Sequence, residues 1–270
     1  MRQAFSIGIS LMFTAILTGN AALGGTMNSD KPMLTLTVVF NNVAFDARLK
    51  TSWGFSCLIE GKEQTILFDT GGDEHILVDN LKRLGIDPAV IDMVFLSHPH
   101  GDHTGGLWGI LKRNPRITVW LTESFPASFK QAVSGYGASL KALNRPTRLL
   151  EGVHSGGERG DWIKEQALIL ETTQGLVIVT GCAHPGIVNV VKSATERFDR
   201  EAFLVLGGFH LMGMGTRQIE EIIEQLKRMG VKQVAPSHCT GDKAISLFRS
   251  AWGDGFLEGG AGAVIRLPSQ

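Results

Sequence analysis

The residues best suited to chemistry lie in one short segment that follows an apolar run. Residues 93–96 (MVFL) are apolar, and the ten residues after them read SHPHGDHTGG. His98 and His100 alternate along the chain, so in an extended loop both side chains point to the same side. Asp102 and His103 come a step later and can face a second ion. Imidazole and carboxylate groups suit zinc, iron and manganese, so this segment predicts a site for one or two divalent metal ions.

Further ligands are expected at the ends of other strands, because four ligands in one loop rarely complete a site. His184 in GCAHPG and His238 in SHCTG both follow apolar runs and lie among small residues. We predict that both bind metal. His210, in GGFHL, also follows such a run, and three roles stay open for it: support of a ligand, contact with a substrate, or packing in the core. His75 and His154 have no comparable setting, and no site role is predicted for them.

Asp69 ends another apolar run, at the sequence DTG. A carboxylate at such a turn can accept backbone N–H bonds or hold a ligand histidine in place. A plain turn cap is the simpler alternative. We favour a role that supports the site over direct metal binding.

The segments that must position these residues alternate between strand-like and helix-like patterns. Apolar runs such as residues 203–206 (FLVL) predict buried strands. Residues 219–229 carry apolar side chains at helical spacing. Polar pairs at 61–62 and 173–174 predict hairpin turns. Hairpins combined with crossovers predict an α/β sandwich with partly antiparallel sheets.

The composition limits the classes of partner. The chain has 270 residues, enough for a buried core, with 26 basic and 26 acidic side chains and no net charge. This balance argues against nucleic acid or an anionic membrane surface as a partner, so we expect a small-molecule substrate. Three cysteines are too few for a disulfide scaffold. Residues 41–53 and 124–159 are predicted to contain the loops that contact the substrate. A helix is expected over residues 126–133, and the glycine-rich stretch 134–161 is irregular in pattern.

The N-terminus has the pattern of a secretory signal peptide. Arg2 supplies a positive charge, residues 5–17 are mostly apolar, and small residues follow. The apolar run is shorter than the ~20 residues of a membrane span. We predict a signal peptide over residues 1–25, a folded domain over residues 32–268, and a periplasmic or secreted location. A membrane anchor formed by an uncleaved signal and a buried N-terminal element are the alternatives.

Four segments resemble the metallo-β-lactamase superfamily. They are ILFDTGG at 66–72, LSHPHGDHTGGL at 96–107, VTGCAHPG at 179–186 and APSHCTG at 235–241. The resemblance extends over residues 34–267 and implies a four-layer αββα sandwich with metals at one edge, between the two sheets. Within the superfamily, GFSCLIE and GGFHL are similar to the branch of 7,8-dihydropterin-6-methyl transferases and dihydropteroate-synthase-like proteins.

The resemblance also implies how the ligands divide between two ions, which are expected to be zinc, with iron or manganese as alternatives. The first ion would be held by three histidines: His98, His100 and His184. The second would be held by Asp102, His103 and His238. Many dinuclear members carry a bridging aspartate where this chain has GCAH, so Cys182 either takes part of that role as a thiolate or only packs.

The leading expectation is a metal-dependent hydrolase that acts on an ester, a phosphoester or a related bond. Zinc lowers the pKa of a bound water to about 7, and the resulting hydroxide would attack the substrate. Asp102 would orient that water or carry its proton, which makes it the candidate catalytic residue. A pterin-type transferase or synthase of the same fold is the first alternative, although export argues against it. A non-catalytic metal-binding protein is the second.

Overall fold

Apolar runs of the chain form the strands of two sheets. Among the residues that the structure describes, 1 and 33–269, the first sheet has seven strands: β1 (Met33–Phe40), β2 (Ser56–Glu60), β3 (Ile66–Phe68), β4 (Met93–Phe95), β5 (Thr118–Thr122), β6 (Ser139–Leu143) and the last strand of the chain, β13 (Val264–Pro268). Hydrogen bonds join them in the order β13-β1-β2-β3-β4-β5-β6. The structure is a computed structural model. The predicted signal peptide lies, apart from Met1, outside the described residues and stays a prediction.

The second sheet has six strands within the same described range. They are β7 (Thr147–Leu150), β8 (Val153–Ser155), β9 (Leu168–Thr172), β10 (Gly175–Thr180), β11 (Ala202–Gly208) and β12 (Gln233–Ser237). Their spatial order is β12-β11-β10-β9-β8-β7. The two predicted hairpins are confirmed, because β2 pairs with β3 and β9 pairs with β10 in antiparallel register. The pairs β3–β4, β4–β5, β10–β11 and β11–β12 are parallel.

Helices cover the outer face of each sheet. They are α1 (Glu74–Arg83), α2 (Gly101–Thr104), α3 (Leu107–Leu111), α4 (Ala127–Gly135), α5 (Ile187–Phe198), α6 (Thr216–Arg228) and α7 (Asp242–Trp252). One buried cluster, with Phe68 and Val179, joins the two sheets. A second, with Leu77, lies between the first sheet and α1–α4, and a third, with Ile219, lies between the second sheet and α5–α7. The layers therefore run helix, sheet, sheet, helix, which confirms the predicted αββα class.

Between residues 124 and 159 the structure differs from the sequence prediction. Helix α4 confirms the helix predicted over residues 126–133, but strands β6, β7 and β8 occupy much of the later part, which the sequence pattern predicted to be irregular. Strands β6 and β7 are the edge strands of their sheets, and their side chains are exposed or half-buried. An edge strand does not need the continuous apolar run that marks a central strand, so its pattern was not recognised. Of the helices in residues 33–269, none has both the length and the apolar character that a membrane crossing requires.

The chemistry-bearing segments follow the carboxyl ends of the parallel strands. The DTG turn follows β3, the HxHxDH segment follows β4, and GCAH follows β10. His210 comes two residues after β11, and His238 comes directly after β12. Because carboxyl ends of parallel strands meet at one edge of a sheet, residues far apart in sequence converge there.

We expect Gly106→Ala to destabilise the protein, because Gly106 packs against the turn that carries Asp69. A Cβ atom at residue 106 would lie 2.0 Å from the carbonyl oxygen of Thr70. Its backbone angles are ordinary for a helix, so the effect is steric. The expected loss is about 1–3 kcal/mol or more, measured by urea unfolding. Gly135→Ala is the control, since no atom lies within 4 Å of a Cβ there. Equal stability of the two variants would contradict this packing.

Candidate metal centre

Three histidines form a first ligand group: His98, His100 and His184. One nitrogen of each lies within 4.8 Å of the others, and their ring centroids are 4.6–5.0 Å apart. His98 Nε2 is buried and has no hydrogen-bond partner in the part of the chain that the structure describes. A buried polar atom without a partner is costly, and a metal ion among three imidazoles would satisfy it.

Four residues form a second ligand group beside the first: Asp102, His103, Cys182 and His238. His103 Nε2 lies 3.2 Å from His238 Nε2 and 3.3 Å from Cys182 Sγ. His238 Nε2 lies 3.2 Å from an Asp102 carboxylate oxygen. Tetrahedral zinc, with Zn–N bonds of about 2.0–2.1 Å, separates neighbouring ligand atoms by roughly 3.3–3.5 Å. The spacing of this group therefore fits such an ion, with the Cys182 thiol as a fourth ligand.

The two groups touch, since the rings of His98 and His103 have centroids 4.2 Å apart. Burial lowers the pKa of His98 to about 3 and that of His103 to about 4. Both rings are therefore neutral near pH 7, which is the state that binds metal.

Four of these histidines have a hydrogen-bond partner at Nδ1, the ring nitrogen that faces away from the ligand groups. The pairs, each 2.7–2.9 Å apart, are His98 with Ser97 Oγ, His103 with Asp69 Oδ2, His184 with Glu165 Oε2, and His238 with Asn42 Oδ1. A partner at Nδ1 fixes the ring orientation and turns Nε2 towards the ligand group. This arrangement favours Nε2 as the metal-binding atom in each ring.

The contacts of Ser97 determine the tautomer of His98. The single hydroxyl hydrogen of Ser97 is donated to Asp69 Oδ2 at 2.7 Å. Ser97 Oγ can then only accept from His98, so the His98 proton resides on Nδ1. Nε2 consequently carries a free lone pair, and this is the same atom that lacks a hydrogen-bond partner.

Asp69 contacts the ligand His103 and also Ser97, the residue that contacts His98. Its carboxylate accepts hydrogen bonds from the Ser97 N–H and Ser97 hydroxyl and lies 2.7 Å from His103 Nδ1. Burial raises the pKa of Asp69, and the two hydrogen bonds that its carboxylate accepts from Ser97 oppose that shift. Asp69 therefore supports two ligand histidines, His103 by direct contact and His98 through Ser97.

Three of the supporting residues, Asn42, Ser97 and Glu165, were not predicted from the sequence. Glu165 is 3% exposed, and it binds the segment that carries Cys182 and His184. Burial raises the pKa of Glu165, but the charge of His98 and the hydrogen bonds from His184 outweigh it and hold the pKa below its usual range. The available signal was a charged residue three positions before the apolar strand β9.

Left-handed backbone conformations concentrate at this edge. Five non-glycine residues of the described chain have positive φ, and four of them are Asp69, Ala183, His210 and His238. Such conformations cost about 1–3 kcal/mol each and persist where the surrounding structure enforces them. They direct the side chains of the strand ends towards the ligand groups.

His210 lies outside both ligand groups but beside them. Its ring centroid is 4.6 Å from that of His184, and the two rings line an open cavity of about 510 Å³. Arg159, Trp162 and Asn189 line the same cavity. Of the three roles left open for His210, this position fits contact with a substrate.

A family model of the metallo-beta-lactamase superfamily matches residues 54–198. A curated relative, 7,8-dihydropterin-6-methyl-4-(beta-D-ribofuranosyl)-aminobenzene-5'-phosphate synthase of Methanocaldococcus jannaschii, is 32% identical over 86% of this chain and 95% of its own length. The chain belongs to the metallo-beta-lactamase superfamily.

The solved structure of Tm1679, described as a metal-dependent hydrolase of the beta-lactamase superfamily, superposes with a TM-score of 0.75 and 28% identity over 87% of this chain and all of its own. YhfI from Bacillus subtilis, at 12% identity, has a TM-score of 0.64 over 88% of this chain and all of its own, and shows the fold alone.

Metallo-beta-lactamase superfamily proteins are typically metal-dependent, and the described part of this chain has three groups of residues able to hold metal. Two are the ligand groups above, and the third, formed by Cys182, His210 and Cys239, shares Cys182 with the second. Cys182 stands where the superfamily resemblance implies a bridging aspartate, and its thiol lies in the second ligand group rather than in the core alone. His75 and His154 lie outside both ligand groups, and His154 instead pairs with Glu171 at 2.8 Å.

Proposed function

We propose that this protein is a hydrolase that uses two zinc ions to cleave a phosphoester or a related ester bond.

 The proposal assigns His98, His100 and His184 to the first ion, and Asp102, His103, His238 and Cys182 to the second. The observation that carries it is the buried, unpartnered Nε2 of His98 beside a second group with tetrahedral ligand spacing. Two adjacent divalent ions suit the cleavage of phosphoester and ester bonds by water.

Bound zinc would supply Lewis acidity and lower the pKa of a coordinated water to about 7. Asp102 would lie beside such a water, because its carboxylate belongs to the second ligand group and its side chain is 21% exposed. Burial raises the pKa of Asp102, but the hydrogen bond with His238 and the charge of His103 hold it below its usual range. The ionised Asp102 carboxylate would help to hold the second ion and could accept a hydrogen bond from the water.

The cavity beside His184 and His210 supports an anionic substrate. The Arg159 side chain is exposed and has no hydrogen bond or ion pair with any residue in the described part of the chain. The guanidinium group is suited to phosphate and carboxylate. Trp162, 99% exposed, offers an aromatic face on the same cavity. These two side chains favour a phosphoester over a neutral ester.

The test is metal analysis followed by a substrate panel. Protein purified without chelator and titrated with zinc should hold up to two ions per chain. The loaded protein should hydrolyse at least one of a phosphomonoester, a phosphodiester, a carboxylic ester, a lactone and a thioester, and a chelator should abolish this turnover. Metal content near zero with no uptake of zinc would refute the proposal.

A synthase is the second candidate, favoured by the 32% identity with the archaeal synthase over 95% of that relative's length. The two reactions are separated by incubating the zinc-loaded protein with the ribofuranosyl-aminobenzene phosphate half of the product in that relative's name and a 7,8-dihydropterin that carries a diphosphate leaving group on its 6-methyl carbon, followed by mass spectrometry. A joined product supports the synthase, whereas a fragment that gains the elements of water supports the hydrolase. Uptake of metal without either product supports the non-catalytic alternative.

A further inference from the structure

We propose that Glu165 is a positioning residue that holds His184 in the tautomer able to bind the first ion. The proposal rests on the ligand role proposed for His184. Glu165 does not belong to either ligand group, and its carboxylate acts through the segment that follows β10.

The Glu165 carboxylate accepts hydrogen bonds from four successive backbone N–H groups. Oε1 accepts from Gly181 at 3.1 Å, from Cys182 at 2.9 Å and from Ala183 at 2.9 Å. Oε2 accepts from the backbone N–H of His184 at 2.9 Å. Successive N–H groups that converge on one anion form a concave site for negative charge. Glu165 therefore determines the course of the backbone that carries one ligand of each ion.

The same carboxylate contacts the ring of His184. Oε2 lies 2.8 Å from Nδ1, and an ionised carboxylate can only accept a hydrogen bond. The proton of a neutral His184 ring is therefore on Nδ1, and Nε2 keeps the lone pair that a metal needs. The ring centroid lies 4.6 Å from that of His98 and 5.0 Å from that of His100.

Glu165 is itself held in place. Its backbone exchanges two hydrogen bonds of 2.9 Å with Arg159. The next residue, Gln166, donates from its backbone to Ser97 and from its side chain to Leu96, at 3.0 and 2.9 Å. These contacts join Glu165 to the end of β4, directly before His98. The first ion's ligands thus come from two strand ends that Glu165 and its neighbour connect.

Glu165→Gln distinguishes control of the tautomer from simple support of the loop. Glutamine keeps the size of the side chain and one oxygen, which should face the three N–H groups at the Oε1 position. The amide NH₂ then occupies the Oε2 position and donates towards His184. Nδ1 must become an acceptor, which moves the ring proton to Nε2 and removes the lone pair from the metal.

Zinc affinity of the first ligand group is the measurement, made by chelator competition in a Cys182→Ser, His238→Ala background in which the second group keeps only Asp102 and His103. Glu165→Gln should weaken binding about 10- to 100-fold. The matched control is Glu171→Gln, since Glu171 contacts His154 outside the centre, and it should leave the affinity unchanged. Equal affinity in the Glu165→Gln and Glu171→Gln proteins would overturn the proposal. If His184→Ala also left zinc affinity intact, the ligand assignment itself would fail.

A second measurement covers the case in which Glu165→Gln does not fold. Nitrogen chemical shifts of the histidine rings in the metal-free wild-type protein report where each proton resides. We expect the His184 proton on Nδ1. A proton on Nε2 would overturn the proposal independently of any variant.

Discussion

Asp102→Asn is expected to reduce turnover by about 100- to 10 000-fold while the protein keeps its fold and its first ion. Asparagine retains the shape of the side chain but removes the negative charge that faces the second ligand group. It also removes the ionised acceptor that would orient the attacking water. His98, His100 and His184 are untouched, so binding of the first ion should persist.

Metal content, melting temperature and turnover should be measured together for this variant. Substrate affinity should change less than turnover, because the group acts mainly in the transition state. Asp254→Asn is the control, since Asp254 is exposed and lies outside both ligand groups. Wild-type turnover in Asp102→Asn would eliminate the proposed role and favour a mechanism that uses the first ion alone.

His98→Ala is expected to abolish the stabilisation that zinc gives to the folded protein through the first ligand group. A ligand that binds only the folded state at 1,000 times its dissociation constant stabilises it by about 4 kcal/mol. The wild-type protein should gain stability on this scale when zinc is added and lose it with chelator. Without His98 the first group keeps only two imidazoles, so the part of the gain that comes from the first ion should disappear.

The measured quantity is the difference in the free energy of unfolding with and without zinc. His154→Ala is the matched control, because that histidine is also buried but pairs with Glu171 away from the centre. It should lower the stability of the metal-free protein and leave the zinc-dependent gain intact. A full zinc-dependent gain in His98→Ala would show that the first group does not hold the ion.

The ligand-type residues could be recognised in the sequence because their pattern is local. Alternation in the HxHxDH segment follows from the geometry of an extended chain, and strand ends are marked by apolar runs that stop at glycine-rich turns. The same local signals predicted the hairpins and an α/β sandwich, and the resemblance to the metallo-β-lactamase superfamily implied its αββα layers. Where these signals weaken, as in the edge strands β6 and β7, the sequence prediction failed.

Only the tertiary structure identified the residues that hold the ligands. Asn42 contacts His238 across 196 positions, and Glu165 meets His184 across a hairpin. The sequence also left Cys182 open between a ligand and a packing residue, and the fold brings its thiol to 3.3 Å from His103. These contacts depend on the register and packing of two sheets. A single hydrogen-bonding side chain has no periodic pattern, so its partner is defined only when distant strand ends meet at one edge.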